Sequence, residues 1–222
     1  MSFKRAIVMN EVTSREKVLK NIREALSTST QPPFDEISRD EVFYRVDKEE
    51  IPEIQFAETF KSVGGNFVYC ADKEEFMQQI SSIIKAYSLQ QLFCEDVQLV
   101  GLLEKQKISN VSDIKKSGTC DCSLTLCEYL VARTGSIMVC TENDKPRSVY
   151  FTAPVHFVLA YTSQIVEDVS DALQGIKSRF ENIPRFISFI TGPSRTADIE
   201  KTLVMGAHGP KELFLFLLDD LA

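Results

Sequence analysis

Residues 66–94 read NFVYCADKEEFMQQISSIIKAYSLQQLFC, and this stretch decides the fold. It opens on a short apolar run, 66–70, of strand length. Asp72 then stands where a helix N-cap belongs, with Glu75 three residues on, and Phe76, Ile80, Ile83, Ile84 and Tyr87 recur at the spacing of one helical face. Residues 92–94 are apolar again. Working outward, a helix from about Glu53 ends at Gly64-Gly65, where glycine accepts a left-handed cap, and another helix covers 97–103. This alternation of helix and strand predicts an α/β domain with a largely parallel sheet. Residues 137–140 and 155–161 are continuous apolar runs, as strands covered on both faces require. Asp168 caps a helix to about Phe180, and 186–190 and 213–216 are the last strands.

Upstream, Thr13 and Glu16 form a capping box for an amphipathic helix over 14–26, in which Val18, Leu19, Ile22 and Leu26 share a face. The polar linker Ser27-Thr28-Ser29-Thr30-Gln31-Pro32-Pro33 follows, and a charged stretch runs to Glu50. Residues 1–50 therefore read as a helical arm and linker, and 51–222 as the α/β domain.

The chain has 222 residues, 44% hydrophobic and 26% charged, ordinary values for a globular protein. Lys and Arg number 25 against 32 Asp and Glu, a net charge of -7 with no basic block, which argues against nucleic acid as a partner. No apolar run has the roughly 18 residues that a membrane-spanning helix needs. Lys4 and Arg5 precede only Ala6-Ile7-Val8-Met9 before Asn10 and Glu11, too short for a secretory apolar segment. The expectation is a cytoplasmic protein without a membrane partner, whose six cysteines are free thiols or metal ligands rather than a disulfide framework.

Phosphate-loop, dinucleotide-binding, nucleophile-elbow and zinc-protease motifs are all missing. Two histidines do not make a multi-histidine metal site. The spacing Cys120-x-Cys122-x₄-Cys127 fits neither a zinc ribbon nor a ferredoxin, and no metal or other cofactor is expected. The informative stretch is Thr191-Gly192-Pro193-Ser194-Arg195-Thr196 after the strand 186–190. It reads as strand, glycine turn, hydroxyl-rich loop and then helix, placed beyond the carboxyl end of a strand, where open α/β sheets hold their ligands. Gly192 permits close approach, Ser194 and Thr196 supply hydroxyls, and Arg195 supplies a planar fork for carboxylate or phosphate. The competing reading is a turn whose hydroxyls only cap the next helix.

In Gly206-Ala207-His208-Gly209-Pro210-Lys211, two glycines hold a histidine in a tight loop, as an acid–base group in a pocket or as a turn histidine bonded to backbone. Thr134-Gly135-Ser136 presents hydroxyls before the next strand, or is a strand-entry turn. Glu128 and Arg133 nearby read as a salt bridge, and His156 after Pro154 as a core histidine.

Taken together, Thr-Gly-Pro-Ser-Arg-Thr-Ala-Asp-Ile-Glu at 191–200 and Gly-Ala-His-Gly-Pro at 206–210 resemble the lactate-utilisation protein C family, the LUD domain. Ala132-Arg133-Thr134-Gly135-Ser136, Ala153-Pro154-Val155-His156 and Ser163-Gln164-Ile165-Val166 agree, in the family's order. The resemblance covers roughly residues 51–218. It implies a three-layer α/β fold like that of ribose-phosphate isomerases and CoA transferases, and a role in bacterial oxidation of lactate to pyruvate beside iron–sulfur partner proteins. Many members carry an acidic residue where this chain has Arg133.

Three functions follow as alternatives. In the first, a subunit handles a small carboxylic acid, with substrate-binding residues Thr191, Gly192, Ser194, Arg195, Thr196, Thr134, Gly135 and Ser136, and with His208 or Glu200 moving a proton. The second is a noncatalytic binding or assembly subunit of an iron–sulfur redox complex. The third is a binder of a phosphorylated metabolite or nucleotide at the same loop.

Overall fold

The computed structural model describes residues 13–27, 51–141, 147–196 and 204–220. The chain divides into two units, Met1–Arg45 and Val46–Ala222. In the first unit, α1 (Ser14–Ser27) starts at a reciprocal cap: Thr13 N–H donates to Glu16 Oε2 at 2.9 Å, and Glu16 N–H donates to Thr13 Oγ1 at 3.3 Å.

The second unit begins with α2 (Pro52–Ser62), β1 (Asn66–Cys70), α3 (Lys73–Ala86), β2 (Leu92–Phe93), α4 (Val97–Lys105) and β3 (Asn110–Val111). It continues through β4 (Cys122–Leu126), β5 (Tyr129–Val131), β6 (Ser136–Thr141), β7 (Val155–Tyr161), β8 (Ile165–Val166) and α5 (Val169–Arg179). The final strands are β9 (Phe186–Ile190), β10 (Arg195–Thr196), β11 (Val204–Met205) and β12 (Glu212–Leu218).

Six strands in the order β1-β12-β7-β4-β2-β3 form a sheet in which every neighbouring pair is parallel. Strands β7 and β12 lie inside it, covered on both faces, which is why their sequences are apolar without alternation. One face packs Phe157, Leu159 and Phe216 against Phe76 and Ile80 of α3 and Leu99 and Leu103 of α4. Phe76 meets Phe216 edge-on at 5.1 Å between ring centroids. The α3 helix starts as its sequence dictates, with Glu75 N–H donating to Asp72 Oδ1 at 2.8 Å and Ala71 N–H donating to Glu75 Oε2 at 2.9 Å.

The opposite face, carrying Val158, Leu215 and Leu217, meets Phe56 and Phe60 of α2 and a second sheet through Leu130, Ile137 and Val139. Phe56 and Phe60 are fully buried and stack at 5.5 Å. Removing either ring would cost about 3–5 kcal/mol of stability. The second sheet has the order β8-β5-β6-β9, with β6 antiparallel to both neighbours. Helix α5 covers its outer face through Ala172 and Ile176 against Val131 and Met138.

The expected mixed α/β class and parallel sheet are thus present, and helices lie where the periodicity predicts them. Two local readings are corrected. Tyr87, expected inside, is 48% exposed and meets Phe214 edge-on. The apolar run 186–190 is not a strand of the parallel sheet; β9 is antiparallel to β6 in the second sheet.

Candidate functional site

Glycine turns converge where α2 ends and β1 begins. Gly135 has φ +59°, and a Cβ there would stand 2.6 Å from Phe60 N, so the turn 134–136 rests on the backbone of the last turn of α2. Gly192 has φ +77°; its Cβ would come within 2.2 Å of Val63 O. Such φ values and contacts admit only glycine without strain. A Cβ at Gly64 would lie 2.9 Å from Arg195 Nη2, and one at Gly192 3.1 Å from the same atom. The Arg195 guanidinium therefore lies across two bare stretches of backbone. The residue is exposed, and no carboxylate among the described residues pairs with it.

A chain of hydroxyls leads to Thr191, the residue before Gly192. Thr134 Oγ1 donates to Ser136 Oγ at 2.8 Å, and Ser136 Oγ bonds to Thr191 Oγ1 at 2.8 Å, tying the start of β6 to the end of β9. Ser136 is buried and Thr191 is exposed, so the chain opens outward at Thr191.

The two glycine loops of the sequence form one unit. Ser194 N–H donates to Pro210 O at 2.9 Å, and Gly206 N–H donates to Ser194 O at 2.9 Å. A Cβ on Gly209 would lie 3.0 Å from Ser194 Cβ. Lys211 N–H donates to Pro154 O at 2.7 Å, which anchors the double loop where β12 and β7 start. His208 is exposed and lines a cavity of about 210 Å³ with Phe151, Thr152 and Lys211.

This placement corrects the sequence reading. The loop 191–196 lies by the amino ends of β1 and β12, not in the crevice beyond the carboxyl ends of the parallel strands. Arg195 and Thr196 form β10, antiparallel to β11; the helix expected after this loop falls on residues outside those described. The N–H of Ser194 is engaged with Pro210, so it is not a free anion donor. Glu200 lies outside the described residues.

Arg133 and Glu128 do not pair with each other. Arg133 Nε donates to Asp168 Oδ2 at 2.6 Å and Nη2 to Asp168 Oδ1 at 3.3 Å, whereas Glu128 pairs with Arg179. The hydrogen bond from Arg133 is the main cause holding the Asp168 carboxyl below its ordinary range. The same carboxylate caps α5 through the N–H of Ser170 at 3.3 Å.

His156 is fully buried, as a core histidine should be, but it is only half satisfied. Nε2 sits 2.8 Å from Thr125 Oγ1, Nδ1 has no partner among the described residues, and burial lowers its pKa to about 3. Cys70, Cys94, Cys120, Cys122 and Cys127 are buried, and Cys140 is partly exposed. Burial pushes the Cys94 and Cys122 thiols up to about 12. Among the described residues no group of three or more His, Cys, Asp or Glu side chains is placed to hold a metal ion. Among them, too, no helix is long and apolar enough to cross a membrane.

Sequence reasoning missed Gly64 as part of the floor under Arg195, Asp168 as the partner of Arg133, and the link between the two loops. The glycine pair 64–65 was visible as a helix end, but its neighbour in space lies more than a hundred residues away.

The LUD domain family model matches residues 54–218. An uncharacterized protein of Neisseria meningitidis serogroup B is 39% identical over 88 residues, 40% of this chain and 38% of that protein. Lactate utilization protein C of Bacillus subtilis is 32% identical over 111 residues, 49% of this chain and 46% of its own length. That of Halalkalibacterium halodurans is 30% identical over 110 residues, 48% of each. The alignments thus span less than half the length of these curated relatives. A crystal structure of a DUF162 family protein from Deinococcus radiodurans superposes with a TM-score of 0.56 at 17% identity, over 75% of this chain and 96% of that one, a likeness of fold.

Proposed function

Because the chain belongs to the LUD domain family, we propose that it serves a bacterial lactate-utilisation system by holding a small carboxylate at Arg195. The observation that carries this reading is the guanidinium laid across Gly64 and Gly192, exposed and without a carboxylate partner among the described residues. A planar fork in that position takes a carboxylate through two parallel N–H bonds. Thr191, at the open end of the hydroxyl chain, supplies a further polar contact. His208, on the joined loop, is the group proposed to move a proton. The relatives named for lactate utilisation support the substrate class, and iron–sulfur proteins remain the proposed partners.

The test is calorimetric titration of L-lactate and of pyruvate into the wild type, Arg195→Lys and Arg195→Ala, with inorganic phosphate as a third titrant. Arg195→Ala should lose about 2–4 kcal/mol of carboxylate affinity, and Arg195→Lys should fall between, because it keeps the charge and loses the fork. Equal affinities across the three proteins would remove Arg195 from the site. Tight phosphate binding with no carboxylate binding would favour the phosphorylated-ligand reading. Copurification with iron–sulfur proteins, with none of the three titrants bound, would favour an assembly subunit.

A further inference from the structure

The parallel sheet has a second place suited to a ligand, independent of Arg195. From β2 the chain runs outward through α4 to the edge strand β3; from β4 it turns the other way, through the second sheet, to β7. The direction of winding therefore reverses between β2 and β4, and crevices form beyond the carboxyl ends of strands at such a reversal. A cavity of about 140 Å³, roughly five water volumes, lies there. Its walls include Phe93, Glu95, Asp96, Thr125, Glu128 and Tyr150.

The core beside this cavity is polar where packing alone would make it apolar. Ser123, Thr125 and His156 are 2%, 9% and 0% exposed on adjacent strands, and Ser123 is the register partner of His156. Among the described residues, Ser123 Oγ and His156 Nδ1 have no hydrogen-bond partner. Each such buried group costs about 1–3 kcal/mol, so stability does not account for them. Thr125, which lines the cavity, is held by His156 Nε2. A neutral imidazole that donates from Nε2 leaves the threonine O–H free to point at a ligand.

The charges around the cavity choose the ligand class. Glu128 is engaged by Arg179, and Asp96 Oδ1 accepts from the N–H groups of Gln98 and Leu99 at the start of α4. Glu95, partly exposed, has no partner among the described residues. An unpaired carboxylate in a wall shared with Phe93 and Tyr150 suits an ammonium group and repels a carboxylate.

We infer that the cavity at the carboxyl ends of β2 and β4 binds a small protonated amine, its ammonium on Glu95 and its hydrogen-bond acceptor on Thr125. This site is separate from the proposed carboxylate site at Arg195.

The experiment is titration of 2-aminoethanol into the ¹⁵N-labelled full chain, following backbone amide shifts, with 1-propanol and L-lactate titrated in parallel. The amine should shift the amides of residues 95–98 and 125–128 saturably, and the two controls should not. Glu95→Gln, a conservative change at a partly exposed position, should weaken the amine by about tenfold or more. Amide shifts that are absent, that appear equally with 1-propanol, or that survive Glu95→Gln unchanged would each overturn the proposal. Lactate shifts at residues 64 and 191–195 report on the Arg195 reading alone, so the two ideas fail separately.

Discussion

Acid should destabilise this protein through His156 before its carboxylates titrate. The ring is fully buried, and burial holds its pKa near 3, against about 6.5 in an unfolded chain. Between these values the unfolded chain binds a proton that the folded chain refuses. Stability from this group is therefore complete above about pH 6.5 and falls as the pH drops, until the folded value is reached. From about pH 7 to about pH 5 the loss is about 2 kcal/mol, a large fraction of a typical domain's stability. The chain has no tryptophan, so urea unfolding is best followed by far-ultraviolet circular dichroism. His156→Gln removes the titration, and its amide can still bond to Thr125. Wild type should lose about 2 kcal/mol more than His156→Gln over that interval. Equal losses would refute the reasoning and show that the ring accepts a proton inside the fold.

Gly192→Ala should destabilise by about 2 kcal/mol or more, because φ is +77° and the new methyl would meet Val63 O; an unchanged urea midpoint would contradict this. Asp168→Ala removes both the Arg133 partner and the α5 cap, and should cost about 1–2 kcal/mol in the same measurement. Because Asp168 has a lowered pKa in the fold, its contribution is present above its unfolded value near 4 and is lost as pH falls through the folded one. Its acid transition therefore lies below that of His156, and Asp168→Ala should flatten only that lower part of the pH profile. Iodoacetamide followed by peptide mass spectrometry should modify Cys140 first, since the other five cysteines are buried; earlier labelling of Cys122 or Cys127 would contradict the burial.

Much of the fold was legible because it is written locally. Asp72 and Glu75 mark the start of α3, Asp168 marks that of α5, and the apolar runs of β7 and β12 show that both faces are covered. The long motif around Arg195 and His208 carried the family. The second sheet was harder to see. Strand β5 has three residues, and β9 reads like any buried strand, since its composition does not encode whether its partner runs parallel or antiparallel. The pair Arg133–Asp168 spans 35 residues, and no local rule prefers Asp168 over the nearer Glu128.

By itself, then, the sequence determined the class of fold and most element positions, and it offered a candidate set of anion-binding residues, because caps, periodicity and side-chain chemistry act over a few residues. Tertiary structure decided which end of the sheet those residues occupy. Residues 191–196 follow an apolar strand, yet that strand is only partly buried, pairs antiparallel with β6 in the second sheet, and delivers Arg195 beside Gly64, at the amino end of β1. Strand pairing depends on contacts between distant segments, and only the folded core chooses among them.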